Sequence, residues 1–207
     1  MKIEIKAKKI VSILEELYPE PEIPLNHKDP YTLLVSVMLS AQTTDKKVNQ
    51  VTPKLFDLAD NPQKMASLDV EIIQEAIREV GLAPTKSKNL KKMATQIISE
   101  FNGVVPNDLE SLETLAGVGH KTASVVIIQA FGGIAFPVDT HIHRLAMRWG
   151  LSDGSSVVKT ERDLKQIFDE SLWSKLHLQI IYFGREYCPA RNHNPDKCLI
   201  CSWASEE

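Results

Sequence analysis

Apolar residues in this chain recur every three or four positions almost from end to end, and no convincing stretch alternates with the period of two that a half-buried strand needs. Ala7, Ile10, Val11, Leu14 and Leu17 make one helical stripe, and "PEPEIP" at 19–24 then breaks it because each proline lacks a donor and restricts its predecessor. Residues 31–41, "YTLLVSVMLSA", are apolar nearly throughout and too long for a typical strand, so they read as a buried helix. A cap for the next helix is expected at Thr44 or Asp45. Ile72, Ile73, Ala76, Ile77 and Val80 form a further stripe, expected to open at Asp69 and close at Gly81. Leu90, Met93, Ala94, Ile97, Ile98 and Phe101 form the next, closed by "NG" at 102–103. Beyond Leu109, Leu112 and Leu115 come Val125, Val126, Ile127 and Phe131, then Leu164, Ile167, Phe168 and Leu172, and the apolar run "LHLQIIYFG". The expected fold class is all-α, built of many short helices.

Composition narrows the class further. The 207 residues suffice for one domain or two small ones, and 43% apolar with 25% charged residues is ordinary for a globular protein. No apolar run reaches the roughly 20 residues of a membrane span, and the N-terminus has no signal-peptide core, so the expectation is a cytoplasmic protein without a membrane partner. A net charge of −3 and a pI near 6.1 argue weakly against a nucleic-acid partner, although a local basic surface can exist inside an acidic whole.

The stretch "LAGVGHKTASVV" at 115–126 interrupts the helical pattern with Gly117-Val118-Gly119. Glycine permits positive φ, and without a Cβ the backbone can approach a ligand closely. The helix that follows presents unpaired amide groups at its start, which favours a phosphate; a plain helix–helix turn fits the glycines equally well. Lys121 lies at the positive end of that helix, where its ammonium is disfavoured, and a lysine that sheds its proton is a nucleophile able to form a Schiff base at a sugar C1′. Eighteen residues on, "FPVDTHIHR" places Asp139 as an N-cap, from which it can also deprotonate an attacking group or stabilise positive charge on a sugar.

Those two motifs together resemble the helix–hairpin–helix, Gly/Pro–Asp DNA glycosylases, in particular the endonuclease III branch, over about residues 10–201. The resemblance implies that Lys121 is the nucleophile and Asp139 its partner. It favours a bifunctional enzyme with AP-lyase activity, since the related adenine glycosylases lack lysine at this position. "MLSAQTTD" at 38–45 is similar to the segment whose glutamine, here Gln42, fills the gap left by an extruded nucleotide. "VGLAPTKSKNL" at 80–90 resembles the loop whose leucine, here Leu82, wedges into the opposite strand, with Ala83 where the best-known members carry an aromatic. Gly117, Gly119, His120, Thr122, His141 and Arg144 are the remaining expected DNA contacts. Lys86, Lys88, Lys91, Lys92 and Arg148 could add phosphate contacts. By the same resemblance, residues 24–133 form a six-helix domain, 1–23 plus 134–207 form a second, and a DNA-binding cleft lies between them. The implied partner is damaged double-stranded DNA, bound by a monomer that removes oxidised pyrimidines and then cleaves by β-elimination. A monofunctional mismatch glycosylase and a non-catalytic damage-binding module remain as alternatives.

The cysteines depart from the family. Its pattern of four, Cys-x6-Cys-x2-Cys-x5-Cys, holds a 4Fe-4S cluster, whereas this chain has Cys188, Cys198 and Cys201, with Glu207 at the fourth position. A Cys₃His zinc set with His193 is conceivable. The expectation is that no cofactor or metal is held, that the cluster is lost while three cysteines remain, and that Leu172, Trp173, Leu176, Ile180, Ile181 and Phe183 hold this end by burial.

Overall fold

The computed structural model describes residues 1–205, and Glu207 lies outside the described residues. The described residues are helical with no strand, as the periodicity requires. They form two compact units, one of residues 24–133 and one of residues 1–23 with 134 onward.

The first unit contains α2 (Pro30–Ser40), α3 (Asp45–Leu58), α4 (Pro62–Ser67), α5 (Val70–Ala76), α6 (Ala83–Phe101), α7 (Leu109–Thr114) and α8 (His120–Ala130). Its centre is α2, buried at every residue from Tyr31 to Leu39 and packed against α3, α6 and α8. A helix apolar on all sides belongs in a core, and its start is fixed by local chemistry. Pro30 sits at the first helical position, the Asp29 carboxylate accepts from Thr32 N at 2.8 Å, and the Thr32 hydroxyl accepts from Asp29 N at 3.1 Å. Thr44 caps α3 by accepting from Lys47 N at 3.3 Å. Asp69 takes the N-cap position of α5 but makes no side-chain cap bond. This helix ends at Ala76 with Ile77 as its C-cap, short of Gly81, because the chain tightens so that Val80 N donates to Ile77 O at 2.9 Å and Val80 stays buried.

The second unit contains α1 (Ile3–Leu17), α9 (Thr140–Arg148), α10 (Val157–Ile167), α11 (Trp173–Glu186) and α12 (Cys201–Ala204). Ile10 and Leu14 of α1 share a core with Trp149, Phe183, Leu145 and the three cysteines. The ring of Trp149 meets Phe183 edge-on at 5.6 Å between centroids. A buried lysine ties the chain's two ends, since Lys6 Nζ donates to Trp149 O at 3.0 Å and to Ala204 O at 2.7 Å.

Leu34, wholly enclosed at the middle of α2, tests the first core. Leu34→Ala is expected to lower unfolding free energy by about 2–5 kcal/mol, read as a shifted urea midpoint at unchanged slope.

Candidate active site

The hairpin between α7 and α8 is set by three contacts. Val118 N donates to Leu115 O at 3.0 Å, closing the turn. From α6, Gln96 Oε1 accepts from Ala116 N at 2.8 Å while its Nε2 donates to Thr114 O at 3.2 Å, so one amide holds both sides of the turn. Gly117 takes φ +79°, and a Cβ there would come within 2.9 Å of Asn89 Nδ2 and 3.0 Å of Met38 Sδ. Only glycine meets both demands. Gly119, with open space where a Cβ would go, serves as the N-cap of α8 and offers no side chain to the first-turn amides. Lys121 projects from that turn and is exposed, with Thr122 half-buried behind it. His120 Nδ1 pairs with Glu113 Oε1 at 2.6 Å, joining α7 to α8.

In the second unit, Asp139 is half-buried and caps α9, its Oδ1 accepting from Ile142 N at 2.8 Å. Thr140 follows it exposed, and His141 faces Gly184 of α11, where a Cβ would lie 3.3 Å from His141 Nδ1. Arg144 turns inward: its Nη2 donates to Gly184 O at 3.2 Å and Cys188 O at 3.0 Å. Burial, with Arg148 nearby, pulls its pKa below the ordinary guanidinium value. Arg148 donates to Pro189 O at 2.9 Å and Cys188 Sγ at 3.1 Å. Both arginines thus hold the segment after α11 in place.

Gln42 and Leu82 lie on neighbouring loops of the first unit. Both are non-glycine residues in the left-handed region, at φ +56° and +61°, and both are exposed, Leu82 by 54%. Gly81 N donates to Thr43 Oγ1 at 3.1 Å, and a Cβ on Gly81 would meet Gln42 O at 3.0 Å, so the loops touch. Lys86 holds them from beneath. Only 5% exposed, it donates from Nζ to Leu39 O at 2.8 Å and Ala41 O at 2.6 Å, at the C-terminal end of α2, where a cation complements the helix dipole. Burial lowers its pKa. Lys91 likewise donates to Leu68 O at 2.7 Å, while Lys88 and Lys92 remain exposed. A lysine run that reads as one basic face is therefore half internal scaffold.

At the C-terminal end, Cys188, His193, Cys198 and Cys201 converge, with their four ligating atoms all within 4.8 Å of one another. The three cysteines are buried and free of disulfide bonds. Hydrogen bonding, first from Cys188 and then from Cys201, holds the Cys198 thiol well below its usual range. The expectation that this end has lost its metal site is overturned, because these four side chains form a compact donor set of the kind that holds a metal. The fourth donor is His193, which the irregular cysteine spacing alone does not single out.

The family described as "HhH-GPD superfamily base excision DNA repair protein" matches residues 35–170. Endonuclease III of Synechocystis sp. is 40% identical over 196 residues, covering 94% of this chain and 90% of that protein. A non-covalent endonuclease III–DNA complex superposes with a TM-score of 0.94 at 35% identity, covering 99% of this chain and 96% of the other. A trapped endonuclease III–DNA covalent intermediate superposes with a TM-score of 0.92, also at 35% identity, covering 97% and 94%. The chain belongs to the HhH-GPD superfamily of base excision DNA repair proteins and, within it, to the endonuclease III family.

The two hairpin glycines should separate under substitution. Gly117→Ala adds backbone strain and a steric conflict, with an expected cost of about 1–3 kcal/mol in urea unfolding. Gly119→Ala, with φ −100° and open space, is expected to cost under about 1 kcal/mol.

Proposed function

We propose that, in this bifunctional DNA glycosylase and AP lyase, Lys121 is the nucleophile and Asp139 its partner. The observation that carries the assignment is the exposed Lys121 in the first turn of α8, directly after the Gly117-Val118-Gly119 turn. The relative trapped as a covalent intermediate with DNA supports it.

A base inside the duplex shields its sugar, so the damaged nucleotide is first extruded. Leu82 is shaped for the wedge and Gln42 for the vacated gap, each displayed on a loop that Lys86 and Thr43 fix. The uncapped amides at the start of α8 suit a phosphate, which positions the strand without reading sequence. Lys121 Nζ, as the free amine, attacks C1′. The C1′–N bond breaks, and the base leaves with that electron pair. The Asp139 carboxylate stabilises positive charge on the sugar, takes a proton from the attached amine and passes it to O4′ as the ring opens to the iminium, while the departing base draws its proton from solvent. Loss of a C2′ proton then expels the 3′ phosphate, and hydrolysis of the imine returns Lys121. These steps use only side chains of this protein and water. Oxidised or fragmented pyrimidines are the proposed bases, by similarity to the family. The substrate sets the place of work, which in a bacterial cell is the cytoplasm.

Borohydride trapping on a duplex with an abasic site tests the assignment. Wild type is expected to give a stable crosslink and Lys121→Gln none, with folding intact because Lys121 is exposed. Asp139→Asn keeps a capping oxygen for Ile142 N, so its stability should hold while glycosylase turnover falls by about 10²–10⁴-fold. A crosslink at full yield from Lys121→Gln would exclude Lys121 as the nucleophile.

A further inference from the structure

The four-residue donor set does not fit the family's cluster. A 4Fe-4S centre is held by four cysteine thiolates and places a cube of iron and sulfide between them, which keeps the ligand sulfurs well apart. Here only three thiols are present, and Cys188 Sγ and Cys201 Sγ stand 3.7 Å apart with all four donor atoms inside 4.8 Å. That interior has no room for four irons.

It does have room for one ion. Zinc–thiolate bonds of about 2.3 Å meeting at the tetrahedral angle put two ligand sulfurs about 3.8 Å apart. The fourth ligand is also marked independently. His193 Nε2 is shielded from solvent with no hydrogen bond of good geometry, and the ring interacts with the Cys198 thiol inside the donor set, a state that buried polar nitrogens rarely keep without a further partner. We propose that Cys188, His193, Cys198 and Cys201 bind a single tetrahedral Zn²⁺ as a structural centre.

The surroundings suit that charge state. Three thiolates and a neutral imidazole around a dication leave one net negative charge, and Arg148 supplies a positive one with its Nη1 3.1 Å from Cys188 Sγ. Cys201 N donates to Cys198 Sγ at 3.4 Å, a backbone donor to a ligand sulfur. The ligands come from separate places: Cys188 just beyond α11, His193 from the following loop, Cys198 after a 3₁₀ turn at Pro195–Lys197, and Cys201 from the first residue of α12. One ion would tie these short segments together. The buried side of the centre is the core shared by Trp149, Phe183 and Ile200. All ligand positions are taken by protein, so the role is structural.

The test is elemental analysis of the purified full-length protein by inductively coupled plasma mass spectrometry, with the visible spectrum recorded on the same sample. About one zinc per chain without iron is expected, whereas about four irons per chain with cluster absorption, or no metal at all, would overturn the proposal. Exchange of the native metal for Co²⁺ is the second measurement on wild type. Intense visible bands of tetrahedral cobalt with thiolate charge transfer are expected; the weak spectrum of octahedral cobalt would overturn it. His193→Cys should keep the metal and shift those bands, while His193→Ala should release zinc to a chromophoric chelator at least tenfold faster. Equal release from His193→Ala and wild type would remove His193 from the ligand set, and the cobalt spectrum of wild type decides the geometry if that variant does not fold.

Discussion

A helix buried on every side must have its last carbonyls satisfied without water, and much of the first unit is arranged around that requirement in α2. The carbonyls of Leu39 and Ala41 face protein, and Lys86 reaches both from α6. An unpaired carbonyl there would cost about 1–3 kcal/mol, and one ammonium satisfies two of them. The same bond fixes where α6 begins relative to where α2 ends, which sets Gln42 and Leu82 side by side. On its other flank α2 supports α8, and Met38 defines the space that leaves Gly117 no room for a side chain. The position of Lys121 therefore descends from the packing of one apolar helix.

The second unit uses charge in a comparable way. Arg144 and Arg148 lie on α9 immediately after the capping Asp139, yet they are directed at carbonyls of α11 and of the segment beyond it. Gly184 allows α9 and α11 to approach closely at that point. The orientation of α9, and with it that of Asp139, is held by the same guanidinium groups that position Cys188. A disturbance at Cys188 would be passed to α9 and its capping Asp139 through two arginines.

Residues differ in how far they could be read from the sequence, for physical reasons. The helices were legible because period and breakers are local properties, and the Gly-Val-Gly turn because only backbone chemistry explains it. Lys86, Lys91, Arg144 and Arg148 were misleading, since a charged side chain reads as solvated until a buried carbonyl claims it. The left-handed backbone of Gln42 and Leu82 was not legible, because neither residue type prefers it and tertiary contacts impose it. His193 is hard to read as a ligand because its spacing from the cysteines is irregular, yet spacing constrains a site only where the chain between ligands is regular. Here loop and 3₁₀ turn bring the imidazole back to the sulfurs.

The bond from Lys6 to Ala204 joins residues 198 apart in sequence. During synthesis α1 leaves the ribosome before residues 24–133, yet its apolar face finds Trp149 and Phe183 only after all of those residues have emerged. The inserted unit has all its own partners by then and can close first. Until α10 and α11 are made, Ile10 and Leu14 stay uncovered, a hazard for sticking to other chains that grows with any delay in translating residues 134–186. The order of manufacture is thereby written into the topology: the continuous unit of residues 24–133 can mature early, and the discontinuous one closes only once the segment after it has emerged.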